Sequence, residues 1–177
     1  MNAQQALDYR QVTLPILTRE HEITRKMLEA IPADKCTYRQ DEICKSAFDL
    51  AWHIAATDNM FLDAVASGQF NLDRNKRPES VKTPADILNW YSESWKQTFD
   101  RVAQLSGDDL AKIVDFRGLL KQPAVLFLEL GLRHTVHHRG QLTMYLRPMG
   151  AKIPSIYGES YDATQARLAA QQQSTTA

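Results

Sequence analysis

Cysteine is scarce. Cys36 and Cys44 are the only two in 177 residues and form no CxxC pair, so a disulfide framework is excluded and both are expected to be reduced and structural. Long apolar runs are missing, and no stretch approaches the length of a membrane-spanning helix. The opening MNAQQALDYR lacks the basic segment and apolar run of a secretory signal. The expected address is the cytoplasm, with no membrane partner. Net charge is absent as well: 21 lysines and arginines balance 21 acidic residues. No global field draws the protein toward polyphosphates, and nucleic acid is not an expected partner. The sequence contains no P-loop, GxGxxG, GxSxG or HExxH, which removes support for the enzyme classes built on them.

What is present is helical punctuation. The chain suits one compact domain, 44% hydrophobic and 24% charged. Its apolar residues recur at three and four positions between sparse glycines and prolines. A first helix is expected over roughly Val12 to Ile31, with Pro15 in its first turn and Leu14, Leu17, His21, Thr24 and Leu28 on one face. A second runs from Ser46 to Ser67; Ser46 and Asp49 give an N-cap and first-turn carboxylate, and Gly68 closes it. Residues 69–80 read as a surface loop. A third helix starts at Thr83-Pro84 and carries Ile87, Leu88, Tyr91, Trp95, Phe99 and Val102, an aromatic set read as plain core. After KIVDFRG, a candidate short strand, a fourth helix runs from about Pro123 to Arg147. Four long helices predict an all-α fold, a four-helix bundle over residues 1–170. A helix-permissive stretch leads to QQQSTTA, a tail expected to be disordered from 171 to 177.

Three of the five histidines crowd into RHTVHHRGQL. Four helical residues turn the chain about 400° and advance it about 6 Å, so His134 and His138 project from one face, spaced to share a metal ion. Phe127, Leu130, Leu142 and Tyr145 surround them, so this face meets the bundle core. His137 falls at its margin. The second helix offers a third imidazole, His53, on a face with Leu50, Thr57, Met60 and Ala64. Three neutral imidazoles from two helices would fix a divalent ion and leave positions open for water or substrate. Against this stands the bland reading of each histidine as a buried residue with its own hydrogen-bond partner, which His21 fits best. Asp49 either orients His53 or only completes the helix start, and Gln141 reads as an ordinary polar residue near a bundle end. Leu128, Leu132, Val136 and Leu146 form a second apolar stripe on the fourth helix; either that helix is covered on both sides or the stripe meets a second subunit.

LAWHIAATDNMFL together with HTVHHRGQLTMYLRPMG resembles the DinB / YfiT-like family of metalloenzymes, and the likeness extends from the first helix through IPSIYG. The resemblance implies a four-helix bundle whose metal is bound by one histidine of the second helix and two of the fourth, here His53, His134 and His138. It implies a homodimer, which would give the second stripe an occupant. It also implies a thiol chemistry: relatives include S-transferases using bacillithiol or mycothiol and a mycothiol-dependent maleylpyruvate isomerase, with the metal activating the thiol. The leading expectation is therefore a metal-dependent thiol S-transferase or hydrolase acting on a small molecule, with the substrate's own thiol as nucleophile, since Cys44, if helical, points away from His53. Zinc or nickel is the expected ion, with iron or copper as alternatives. The competing expectation is a non-catalytic protein stabilised by its metal.

Overall fold

The computed structural model describes residues 1–175, the last of them by its backbone alone. Helix α1 (Ala3–Glu29) begins nine residues before the sequence periodicity suggested, because Asn2 and Gln5 form a reciprocal capping box. Pro15 therefore sits inside the helix, on its exposed side, where the lost backbone hydrogen bond faces solvent. The expected inner face holds: Leu17, His21, Thr24 and Leu28 are buried. Helix α2 (Ala47–Ser67) starts at the Ser46 cap and ends where Gly68 takes φ 72°, a left-handed conformation that glycine adopts without a Cβ penalty. Residues 69–80 connect to α3 through a single 3-10 turn, Leu72–Asn75. Helix α3 (Pro84–Ala103) has the Thr83–Asp86 capping box with proline in its first turn.

A five-residue helix, α4 (Gly107–Ala111), precedes a two-stranded antiparallel hairpin, β1 (Ile113–Phe116) and β2 (Leu120–Pro123), where the sequence had suggested one strand. A 3-10 turn (Ala124–Leu126) then leads into α5 (Phe127–Leu146). Beyond it, α6 (Tyr161–Thr175) is largely exposed and continues helical to Thr175 across the segment read as a disordered tail; residues 176 and 177 lie outside the described residues.

The long helices α1, α2, α3 and α5 make the bundle. α2 packs against both α3 and α5, and α1 closes the opposite side by touching the same two helices. The α2–α5 seam is close at Gly131, where an added Cβ would lie 2.7 Å from the Phe61 Cβ. Polar bonds tie the core. The buried Asp58 carboxylate of α2 accepts hydrogen bonds from Tyr91 of α3 (2.6 Å) and Thr135 of α5 (2.9 Å). Tyr91 is thus core, as expected, but its hydroxyl joins two helices. Desolvation raises the Asp58 pKa, and the two hydroxyl donors oppose the rise. Arg139 of α5, 1% exposed, pairs with Glu20 of α1 at 2.6 Å, bonds Thr24 and the Glu20 carbonyl, and reaches the Tyr157 hydroxyl beyond α5. Removing either partner of such a pair would strand a buried charge. Among the described residues, no helix is long and apolar enough to cross a membrane.

Candidate metal centre

The α2–α5 seam brings the three sequence-selected histidines together. His53, His134 and His138 each offer a ring nitrogen, and these atoms lie within 4.8 Å of one another. The ring centroids are 5.0 Å apart for His53–His134, 4.5 Å for His53–His138 and 4.3 Å for His134–His138. All three are partly buried, and the His134 ring stands 6.0 Å, centroid to centroid, from Phe61. Among the described residues this is the one group of its kind that could hold a metal ion.

The hydrogen bonds around the rings indicate which nitrogens face inward. His138 Nδ1 lies 2.7 Å from the Gln141 carbonyl oxygen Oε1, while the Gln141 amide nitrogen lies 3.2 Å from His137 Nε2. One amide orientation satisfies both contacts: Gln141 donates to His137 Nε2 and its Oε1 accepts a hydrogen bond from His138 Nδ1–H. That tautomer leaves a lone pair on His138 Nε2, which sits 3.2 Å from His53 Nε2. His53 Nδ1 is 3.4 Å from the Thr57 hydroxyl. Two imidazole nitrogens facing each other at that separation need a proton or a cation between them. His134 Nδ1 is buried with no hydrogen-bond partner. The residues present therefore fit a divalent ion in both donor type and placement.

The electrostatics agree with that chemistry. Desolvation, joined by the charges of His138 and Lys45, lowers the His53 pKa to about 4. Desolvation, with His138, His53 and His137, lowers His134 to about 4. Both rings are neutral at pH 7, the form in which imidazole binds a metal. Burial lowers His21 further, to about 3, but it stands apart from the triad, stacked on Trp95 at a 4.0 Å centroid distance with its Nδ1 unpartnered.

Two residues play parts different from those the sequence suggested, and a third, Asp49, takes one of the two it was offered. Asp49 caps α2 with Ser46 and pairs with Arg77 at 3.2 Å; the side chain beside His53 Nδ1 is Thr57, not Asp49. Gln141 is not a bystander, because its carbonyl orients His138. Cys44 is not helical: it lies in the turn before α2, so the helical-wheel argument that pointed it away from His53 does not apply. Cys44 and Lys45 line two open hollows beside the triad. One, of about 450 Å³, includes His53 and Trp52; the other, of about 320 Å³, includes His138, Gln141 and Met144. The hollows give small molecules two approaches to the histidines.

The second apolar stripe divides. Leu128 and Leu146 are buried within the protomer, whereas Leu132 and Val136 are half-buried. Leu132 borders a shallow apolar groove of about 570 Å³ with Tyr9, Val12 and Ile16 of α1, of which Val12 is 69% and Ile16 46% exposed.

Known proteins resemble this chain along most of its length. It is 27% identical over 130 residues to the uncharacterised protein YjoA of Bacillus subtilis, covering 72% of this chain and 82% of that protein. It is also 27% identical over 143 residues to the uncharacterised YrdA of the same organism, covering 78% and 82%. The crystal structure of the DinB-like YjoA superposes with a TM-score of 0.69 at 24% identity, over 84% of this chain and 99% of the other, a likeness of fold. A DinB-like protein from Bacillus cereus gives the same TM-score, 0.69, at 25% identity over 82% and 95% of the two chains. The sequence profile of the DinB family matches residues 5–174, and the chain belongs to the DinB family.

Proposed function

We propose that His53, His134 and His138 hold a divalent metal ion, zinc or nickel in preference to iron or copper, and that the protein is a metal-dependent enzyme acting on a small molecule. The facing Nε2 atoms of His53 and His138, 3.2 Å apart with His138 Nδ1 committed to Gln141, carry this reading. A bound ion would favour the deprotonated form of a thiol or water at neutral pH. The chain's own residues supply the rest. Thr57 and Gln141 fix the outer nitrogens of two rings, the Phe61 side excludes water, and the two hollows admit a reactant from the solvent side. Thiol S-transfer is the reaction we propose, the thiol arriving with the substrate.

The test is metal content followed by ligand access. Purified wild type should carry about one equivalent of ion, His53→Ala and His138→Ala should lose it, and His137→Ala should keep it. Equal metal in all four proteins would overturn the assignment. Cobalt-substituted wild type should change its visible spectrum on addition of a small thiol. An unchanged spectrum would turn the reading toward an ion that only ties α2 to α5. We further propose a homodimer that covers the Val12–Ile16–Leu132 groove.

A further inference from the structure

The two hollows beside the triad differ in most of their walls but share Cys44 and Lys45. The charges along them are mostly paired. Arg39 lies 3.9 Å from Asp49 and donates to the Cys44 carbonyl, and Asp49 also holds Arg77. Lys45 differs. No carboxylate lies within ion-pair distance of its ammonium group among the described residues, and its side chain is exposed at the last position before the α2 cap. It is also the only charged residue on the hollow that ends at His138. That hollow is otherwise apolar along Leu50, Met144 and Tyr145, with the Gln40 amide at its rim. An unpaired cation, a neutral amide and an apolar wall, all beside a candidate metal centre, match a small organic anion with a hydrocarbon body.

We infer that Lys45 is the recognition point for a carboxylate on the small-molecule substrate, which lies in the hollow between Lys45 and His138 with its opposite end at the histidine triad. The inference rests on the metal-enzyme reading for what happens at that opposite end. Recognition of the carboxylate depends only on Lys45 and the walls of the hollow. Lys45 is exposed, lies outside the bundle core and is not one of the three candidate ligands, so its replacement should leave the fold and the metal stoichiometry unchanged.

The experiment compares 3-mercaptopropionate with its neutral analogue 3-mercaptopropan-1-ol on cobalt-loaded protein, using the spectral change as the binding signal. Wild type should bind the acid about fivefold more tightly than the alcohol, the size expected of one partly exposed charge pair, and added salt should shrink the preference. Lys45→Met should abolish the preference and Lys45→Arg should retain most of it. Equal binding of the two thiols by wild type overturns the inference, as does a preference that survives in Lys45→Met, since direct chelation by the carboxylate would then explain it. A metal-independent measurement separates this outcome from failure of the metal reading. In metal-free protein, 3-mercaptopropionate should shift the Lys45 ¹³Cε resonance while 3-mercaptopropan-1-ol leaves it in place. A resonance indifferent to both overturns the anion site whatever the cobalt experiment gives, and a selective shift in a protein that takes up no cobalt sinks the metal reading alone.

Discussion

His21 gives the sharpest link between burial and acid stability, because it is outside the triad and its environment is simple. The ring is 7% exposed, stacked on Trp95 and tilted against Tyr91, and desolvation with the Arg25 charge lowers its pKa to about 3. In the unfolded chain it titrates near about 6.5. Below that pH the unfolded state binds a proton that the native state refuses, so stability is full above about 6.5 and declines as pH falls toward the native value. Integrated from pH 7 to 4.5, the loss assigned to His21 is about 2.5 kcal/mol, set by the unfolded value because pH 4.5 lies above the native one. His21→Phe keeps an aromatic ring against Trp95 and removes the titration. A void of about 10 Å³ beside His21, room for about one water, takes part of the added volume. Urea unfolding in the presence of a chelator, at pH 7, 5.5 and 4.5, measures the stability difference between wild type and variant. That difference should move in the variant's favour by about 2 to 3 kcal/mol on acidification, whatever packing cost the phenyl ring brings at pH 7. His53 and His134 lose stability in the same direction, but equally in both proteins. A difference independent of pH would refute the argument.

Gly131→Ala should destabilise the bundle by about 1 kcal/mol, the overpacking against Phe61 exceeding the gain in helix propensity, and should reduce metal content by parting α2 from α5; a variant as stable as wild type would show that the close approach is unimportant. Metal-loaded protein should melt above apoprotein at neutral pH, with the gap closing in acid as protons displace the ion, and a gap constant with pH would disconnect the histidines from the ion. Wild type should sediment as a dimer at micromolar concentration and Ile16→Glu as a monomer, whereas a monomeric wild type would remove the dimer proposal.

The bundle and its histidines were readable because they follow from local rules. Ser46, Thr83 and Gly68 mark helix ends by their hydrogen-bonding and φ preferences, and the i, i+4 spacing alone places His134 beside His138. What escaped depends on contacts between distant segments or on conformation outside helices. Pro15 drew the start of α1 inward although Asn2 and Gln5 already spelled a capping box. Cys44 was placed by a helical wheel in a segment that is a turn. Asp49 was an equal candidate for orienting His53 until its partners proved to be Ser46 and Arg77. Gln141, three residues after His138, had a signal in its i, i+3 spacing, but only the rotamer shows its oxygen turned to Nδ1.

The triad and the buried Asp58 bonds are two results of one helix register. His134 and Thr135 are successive residues of α5 and so project about 100° apart, one toward His53 and the other into the core. Thr57 and Asp58 are likewise successive on α2, the first against His53 and the second bonded to Thr135. The Thr135–Asp58 bond therefore pins α5 against α2 at the level that sets His53 opposite His134 and His138. A slip of one helical turn, about 5.4 Å, would separate the imidazoles and at the same time take the Thr135 donor from the desolvated Asp58 carboxylate, leaving it Tyr91. Gly131, one turn before Thr135, brings the helices near enough for both sets of contacts to form. The stability of the core and the spacing of the candidate ligands thus rest on the same few residues, and a metal joining the triad would stabilise the register that the buried hydroxyl bonds already select.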